Sequence, residues 1–216
     1  MLKTEHRSVD LVDAEVKGRM FRGYAAVFNT PWSERLTEVT GYVEKVKPGV
    51  FRKALGQTED VPLLWQHDRN QLLATTGSGD VKIREDGKGL LTEAKLPSNH
   101  LADYVLSLVE SRNVRGMGYG IELDPRRDVM LQRDAGSGVY TKTVIGARRL
   151  VDVSLTWEPA YTATTAELRS TGFVAVPLQE LLDGEEPQAQ DAVEEPPPDE
   201  SEDAWWGDDP PKESSE

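Results

Sequence analysis

Three glycines stand at every second position in "RGMGYGIEL", Gly116, Gly118 and Gly120, directly after a stretch that reads as a helix. Spacing of this kind invites a phosphate-cradling loop, but such a loop lies between a strand and the helix whose amino terminus faces the phosphate. Here the order is helix, glycines, extended chain, and no G-x-x-x-x-G-K-[ST] occurs in the sequence. Nucleotide binding is not expected. Three histidines offer acid–base chemistry. His6, near the amino terminus, and His100, at a helix start, read as solvated side chains. His67 ends the apolar run of "VPLLWQHD" at a strand-to-turn transition, where a hydrogen-bonded structural histidine is the plain reading and a base in a cleft the sharper one. No H-E-x-x-H or other paired spacing points to a metal, and the absence of cysteine removes disulfides, a thiol nucleophile and cysteine-ligated zinc. Asp152 lies in "RRLVDVSLTWEPAY". Alternation there puts Asp152, Ser154 and Thr156 on one face and Val151, Val153 and Leu155 on the other, with the polar set toward solvent or a groove.

The elements that must position these residues are mostly short strands. "SVDLVDAEV", "RMFRGYAAVFN", "YVEKVKPGVF", "VPLLWQH", "DVKIRED", "GLLTEAKLP", "GYGIELD", "GVYTKTVIG" and "RRLVDVSLTWEPAY" alternate apolar with polar residues between turn signals such as "EDGKG" and "DAGSG". A many-stranded sheet or barrel follows. Two stretches differ. "PGVFRKALG" is compatible with a short helix from Val50 to Leu55 stopped by Gly56. In "SNHLADYVLSLVESRN", Leu101, Tyr104, Val105, Leu108 and Val109 share one helical face, with Ser98 or Asn99 as the cap and Gly116 as the expected positive-φ terminator.

Charge divides the chain. From Asp183 to Glu216 there are 14 acidic residues and one basic residue, Lys212, so the whole net charge of −13 lies there and the body is neutral. This segment also holds six of the 13 prolines, and after Val193 its only large apolar residues are Trp205 and Trp206. Such a composition does not bury enough apolar surface to offset its ordering entropy, so residues 176–216 are expected to be an acidic, proline-rich disordered tail after a domain at 1–175. Adjacent tryptophans with no core to join suggest a short motif that docks on a partner or on the body. A neutral body with an acidic tail argues against phosphate-driven nucleic-acid binding. The amino terminus lacks an apolar stretch after its charges, and no run approaches the ~18 apolar residues of a membrane helix, so a soluble intracellular protein without membrane contact is expected.

Six segments, in order, resemble the prohead (capsid maturation) proteases of tailed double-stranded DNA phages, a family similar in fold to the herpesvirus assembly protease. They are "FRGYAAVFN", "YVEKVKPGVFRKAL", "VPLLWQHDRNQLLATT", "VKIREDGKGLLTEAKLP", "LADYVLSLVESRNVRGMGYGI" and "RRLVDVSLTWEPAY", spanning about residues 20–162. The resemblance implies a β-rich α+β fold, a herpesvirus-protease-like β-barrel with a few helices. It implies a serine endopeptidase that cleaves capsid or scaffold segments inside the procapsid in the host cytoplasm, using no metal or organic cofactor. Pairing into homo-oligomers is a further implication.

In that family a histidine after the "LL..H" strand is the general base, an acidic residue before "V-S-L" orients it, and the serine of a "G-M-S-aromatic-G" strand is the nucleophile. Carried over by position, the base is His67, the acid is Asp152, and the nucleophile position falls on Gly118, where serine is expected. Glycine offers no oxygen, so the chain is expected to be inactive or nearly so, retaining at most the ~10³–10⁴ over water left to triad enzymes stripped of a triad member. Three explanations stand: a substitution that silences a protease, a natural pseudoprotease kept as an assembly or scaffolding protein, or another hydroxyl, such as Ser154, Ser111 or Ser137. The third is the least attractive, because Ser154 shares a strand face with Asp152, Ser111 belongs to the helix and Ser137 to a turn.

Overall fold

The alternating segments fold into strands throughout the residues that this computed structural model describes, 2–10, 14–30 and 41–157. In chain order they are β1 (Lys3–Asp10), β2 (Glu15–Lys17), β3 (Met20–Val27), β4 (Tyr42–Val46), helix α1 (Val50–Gln57), β5 (Pro62–Trp65), β6 (Asp68–Thr75), β7 (Val81–Glu85), β8 (Gly89–Lys95), helix α2 (His100–Glu110), β9 (Gly116–Leu123), β10 (Val129–Arg133), β11 (Tyr140–Val144) and β12 (Arg149–Thr156). One sheet has the order β1-β9-β12-β5-β6, a second β2-β3-β8-β7 and a third β10-β11-β4. Most neighbours are antiparallel; β5 runs parallel to β12, and β4 to β11.

Among the described residues the expected barrel is not closed. Hydrogen bonding ends at β1 and β6 in the largest sheet, and register shifts in β3, β5 and β12 bend the strands into separate layers. Between the layers lies one apolar core, built from Phe21, Phe51, Leu63, Leu90, Met117, Tyr119, Ile121, Leu150, Val153 and Leu155. Phe51 meets Tyr119 edge-on at 5.0 Å between ring centroids, fixing α1 over β9 of the largest sheet.

β1 begins well before the expected Ser8, because its inward residues are charged rather than apolar. Glu5 and Arg7 are buried, and they meet Glu44 of β4 and Lys142 of β11 in a neutral cluster of two acids and two bases. β6 and β10 also form where no strand was expected; their sequences, "DRNQLLAT" and "VMLQR", are polar on exposed stretches.

Both helices form. The Asn99 side chain caps α2 by accepting from Ala102 N at 2.9 Å. The buried line is Ala102, Val105 and Leu106, while Tyr104 is exposed and turns its ring toward Trp65. Arg112, not Gly116, ends this helix in the left-handed region, at φ 59°, with Asn113 N donating to Leu108 O and Arg112 N to Val109 O. Gly116 is then free to start β9 in extended conformation. Gly56 does not stop α1, which runs through it to Gln57.

Candidate active site

Strand register lays out the site. β9 lies between β1 and β12, and its glycines fall on two rungs. His6, Gly120 and Asp152 oppose one another across the three strands, and so do Ser8, Gly118 and Ser154. Bare backbone in the middle strand lets side chains of the flanking strands meet above it. A Cβ on Gly120 would stand 2.5 Å from both Asp152 Oδ2 and His6 Cδ2. One on Gly118 would strike the Arg7 carbonyl oxygen and stand 2.8 Å from His67 Nε2.

His67 arrives from the hairpin between β5 and β6. Gln66 and His67 both have positive φ, 61° and 55°, as a two-residue type I′ turn requires. Gln66 does not adopt this region at low cost, so the turn is held from outside. β12 holds it: Leu155 O accepts from Gln66 N at 2.9 Å, and Ser154 Oγ accepts from His67 N at 3.1 Å. The strand that carries Asp152 therefore also fixes the backbone of His67.

The imidazole lies against that carboxylate. His67 Nδ1 donates to Asp152 Oδ1 at 2.6 Å, and both side chains are nearly sealed from solvent, at 4% and 3% exposure. A carboxylate only accepts, so Nδ1 carries the hydrogen and the neutral ring keeps a lone pair on Nε2. Nε2 is buried above Gly118 and has no hydrogen-bond partner among the described residues. Ser154 Oγ donates to the same carboxylate oxygen at 3.1 Å.

His6 completes the cluster. Its Nε2 donates to Asp152 Oδ2 at 3.2 Å, and its ring centroid is 4.7 Å from that of His67. Burial drives the Asp152 carboxyl upward, but hydrogen bonds from His6 and His67 hold it well below the usual carboxylate range. It is thus an anion through ordinary pH, able to fix the tautomer of His67 and to support positive charge on it. The three residues offer ligand-type atoms within 4.8 Å of one another, yet both carboxylate oxygens already bond to the rings.

The structure brings His67 and Asp152 together with Gly118 beside them. It corrects the reading of His6 as a solvated side chain; His100 is exposed, as expected. The polar face of β12 is not open: Asp152, Ser154 and Thr156 are all buried, since β12 is a central strand with His67 over that face. Two of the three hydroxyls weighed as substitutes lie elsewhere. Ser111 bonds to Ser107 O at the end of α2, and Ser137 bonds to Asp134 in a turn. The placement of His6 and Ser8 beside Asp152 and Gly118 has no signature in the sequence, because no apolar alternation marks "KTEHRS"; the charged alternation of Glu5 and Arg7 is the one signal that it is a strand.

Residues 3–177 match the family described as caudovirus prohead serine protease. The solved structure of the bacteriophage T4 capsid assembly protease, gp21, aligns with 73% of this chain and 98% of that one, at 11% identity and a TM-score of 0.41. No curated protein matches the chain.

Proposed function

Since this chain belongs to the caudovirus prohead serine protease family, we propose that it is a maturation endopeptidase that hydrolyses capsid or scaffold segments inside the procapsid, in the host cytoplasm. The observation that carries this reading is the His67–Asp152 pair, bonded at 2.6 Å with Nε2 turned to the bare backbone of Gly118. In such a pair the carboxylate holds the Nδ1–H tautomer, and Nε2 takes the nucleophile's proton and then gives it to the leaving amine. The second carboxylate oxygen, bonded to His6, keeps the anion oriented. An extended substrate would pair by backbone hydrogen bonds along a sheet edge. The acidic segment with Trp205 and Trp206, which lies outside the described residues, would dock the enzyme to procapsid proteins.

Residue 118 supplies no oxygen, so the covalent route through that position is closed. One observation favours a second reading, a non-enzymatic assembly protein that keeps the protease fold: β1 closes directly on Gly118, where a side chain would strike the Arg7 backbone. Intact-mass spectrometry decides, with the chain, its Gly118→Ser variant and its His67→Ala variant each incubated with the cognate capsid precursor. Cleavage that disappears in His67→Ala supports the endopeptidase. Cleavage by Gly118→Ser alone identifies a silenced one. No cleavage by any, with all three still entering procapsids, replaces it with the assembly protein.

A further inference from the structure

Gly118 leaves the His67 base without a hydroxyl on β9, yet the same rung carries two others. Ser154, on the β12 side, is fully buried, and its hydroxyl already donates to Asp152 and accepts from His67 N. Ser8 lies on the β1 side and is only half-buried. It pairs with Gly118 in register and lies on the face of β1 that carries His6. The point that a Cβ on residue 118 would occupy is 2.8 Å from His67 Nε2 and 3.0 Å from Ser8 Cβ. The Arg7 carbonyl oxygen crowds the same point, so glycine there lets β1 pack close on β9 and brings Ser8 to the side of the site that holds the imidazole. β1 is an edge strand of its sheet among the described residues.

Resting on the endopeptidase reading, we infer that Ser8 is the catalytic nucleophile of this chain, its hydroxyl reaching the base from the neighbouring strand in place of one on residue 118. The buried Nε2, which has no partner among the described residues, is the acceptor for its proton. Ser8 Oγ attacks the scissile carbonyl carbon, a C–O bond forms, and the proton passes to Nε2 while the carbonyl π pair moves onto oxygen. Collapse of this adduct breaks the C–N bond; the amine leaves with the proton from Nε2, and an ester remains on Ser8. Water then attacks the ester carbon and gives its proton to Nε2, and Ser8 Oγ recovers that proton as the carboxylic acid departs. Glycine at 118 is on this account the residue that lets β1 supply the hydroxyl.

One test needs no substrate. The sequence contains no cysteine, so Ser8→Cys introduces a single thiol, and iodoacetamide alkylation followed by mass spectrometry reports its thiolate fraction. A thiol facing the base is activated below the ordinary thiol range. Alkylation at pH 6 is expected to be at least tenfold faster in Ser8→Cys than in Ser8→Cys/His67→Ala, with superimposable circular dichroism spectra. Equal rates overturn the assignment. The second test uses the capsid precursor with the wild-type chain, Ser8→Ala and Ser8→Ala/Gly118→Ser. Cleavage by the wild type that falls at least 10³-fold in Ser8→Ala supports the assignment. Unchanged cleavage by Ser8→Ala, or cleavage by the double variant alone, overturns it and leaves the endopeptidase reading standing. If none of the three cleaves, the endopeptidase reading falls and the nucleophile with it.

Discussion

Four buried charges hold the strand that bears His6 and Ser8, and removal of one has a calculable cost. Arg7 bonds to Glu5 and Glu44, and Lys142 Nζ lies 2.9 Å from both Glu5 Oε2 and Glu44 Oε2. Burial drives the Glu5 carboxyl upward, but Arg7 and Lys142 bring it down from 4.5 to about 2. At ~1.4 kcal/mol per pH unit this corresponds to about 3 kcal/mol of stability. Because the folded value is depressed, that stability is present above pH 4.5 and is lost as pH falls from 4.5 toward 2. Lys142→Met leaves one uncompensated negative charge in a dry cluster, which costs about 3–5 kcal/mol at pH 7. With Lys142 gone, burial dominates and Glu5 takes up a proton more readily, so the deficit shrinks on acidification. Adding Glu5→Gln to Lys142→Met restores neutrality and recovers most of the loss. Urea unfolding followed by circular dichroism at pH 7 and pH 4 reads all of this. A deficit below ~1 kcal/mol at pH 7, an equal deficit at both pH values, or no recovery in the double variant would refute the reasoning.

Other substitutions separate the roles within the site. Asp152→Asn keeps the shape but removes the charge that fixes the Nδ1–H tautomer, and peptide cleavage is expected to fall about 10⁴-fold, as it does when other triads lose this carboxylate; unchanged turnover would show that Asp152 only supports the turn. Gly120→Ala pushes a methyl to within 2.5 Å of Asp152 Oδ2 and His6 Cδ2 and should destabilise the fold by about 1–3 kcal/mol, whereas Gly56→Ala, which meets nothing within 4 Å in α1, should stabilise it by up to about 1 kcal/mol. Thermal melts of the two variants moving in opposite directions check both statements. Changing Trp205 and Trp206 to Ser should lower incorporation into procapsids severalfold, measured by quantitative blotting of purified particles; unchanged incorporation would remove the docking role.

Strands with one apolar face, such as β3, β8 and β12, were readable because alternation reports burial on one side. β1 was not, since its buried side is made of compensating charges, and pairing between Arg7 and Glu44, 37 residues apart, has no local signature. The same blindness hid His6 and Ser8, whose roles follow from which residues β9 sets opposite its glycines. His67 and Asp152 were singled out as a pair through resemblance to a family, since alternation alone placed Asp152 toward solvent or a groove. The left-handed turn at Gln66 and His67 was also unreadable, because it is imposed by hydrogen bonds from β12 and not by glycine or asparagine in the turn. Closure into a barrel was inferred from strand number, but bulges and unpaired edges, which decide closure, depend on register that strand number does not contain.

The most direct test of the endopeptidase reading is co-expression of the capsid precursor with the wild-type chain or with its His67→Ala variant, followed by mass spectrometry of the precursor. A discretely shortened precursor with the wild type and an intact one with His67→Ala is the predicted result. An identical outcome with both chains, cleaved or uncleaved, would contradict it.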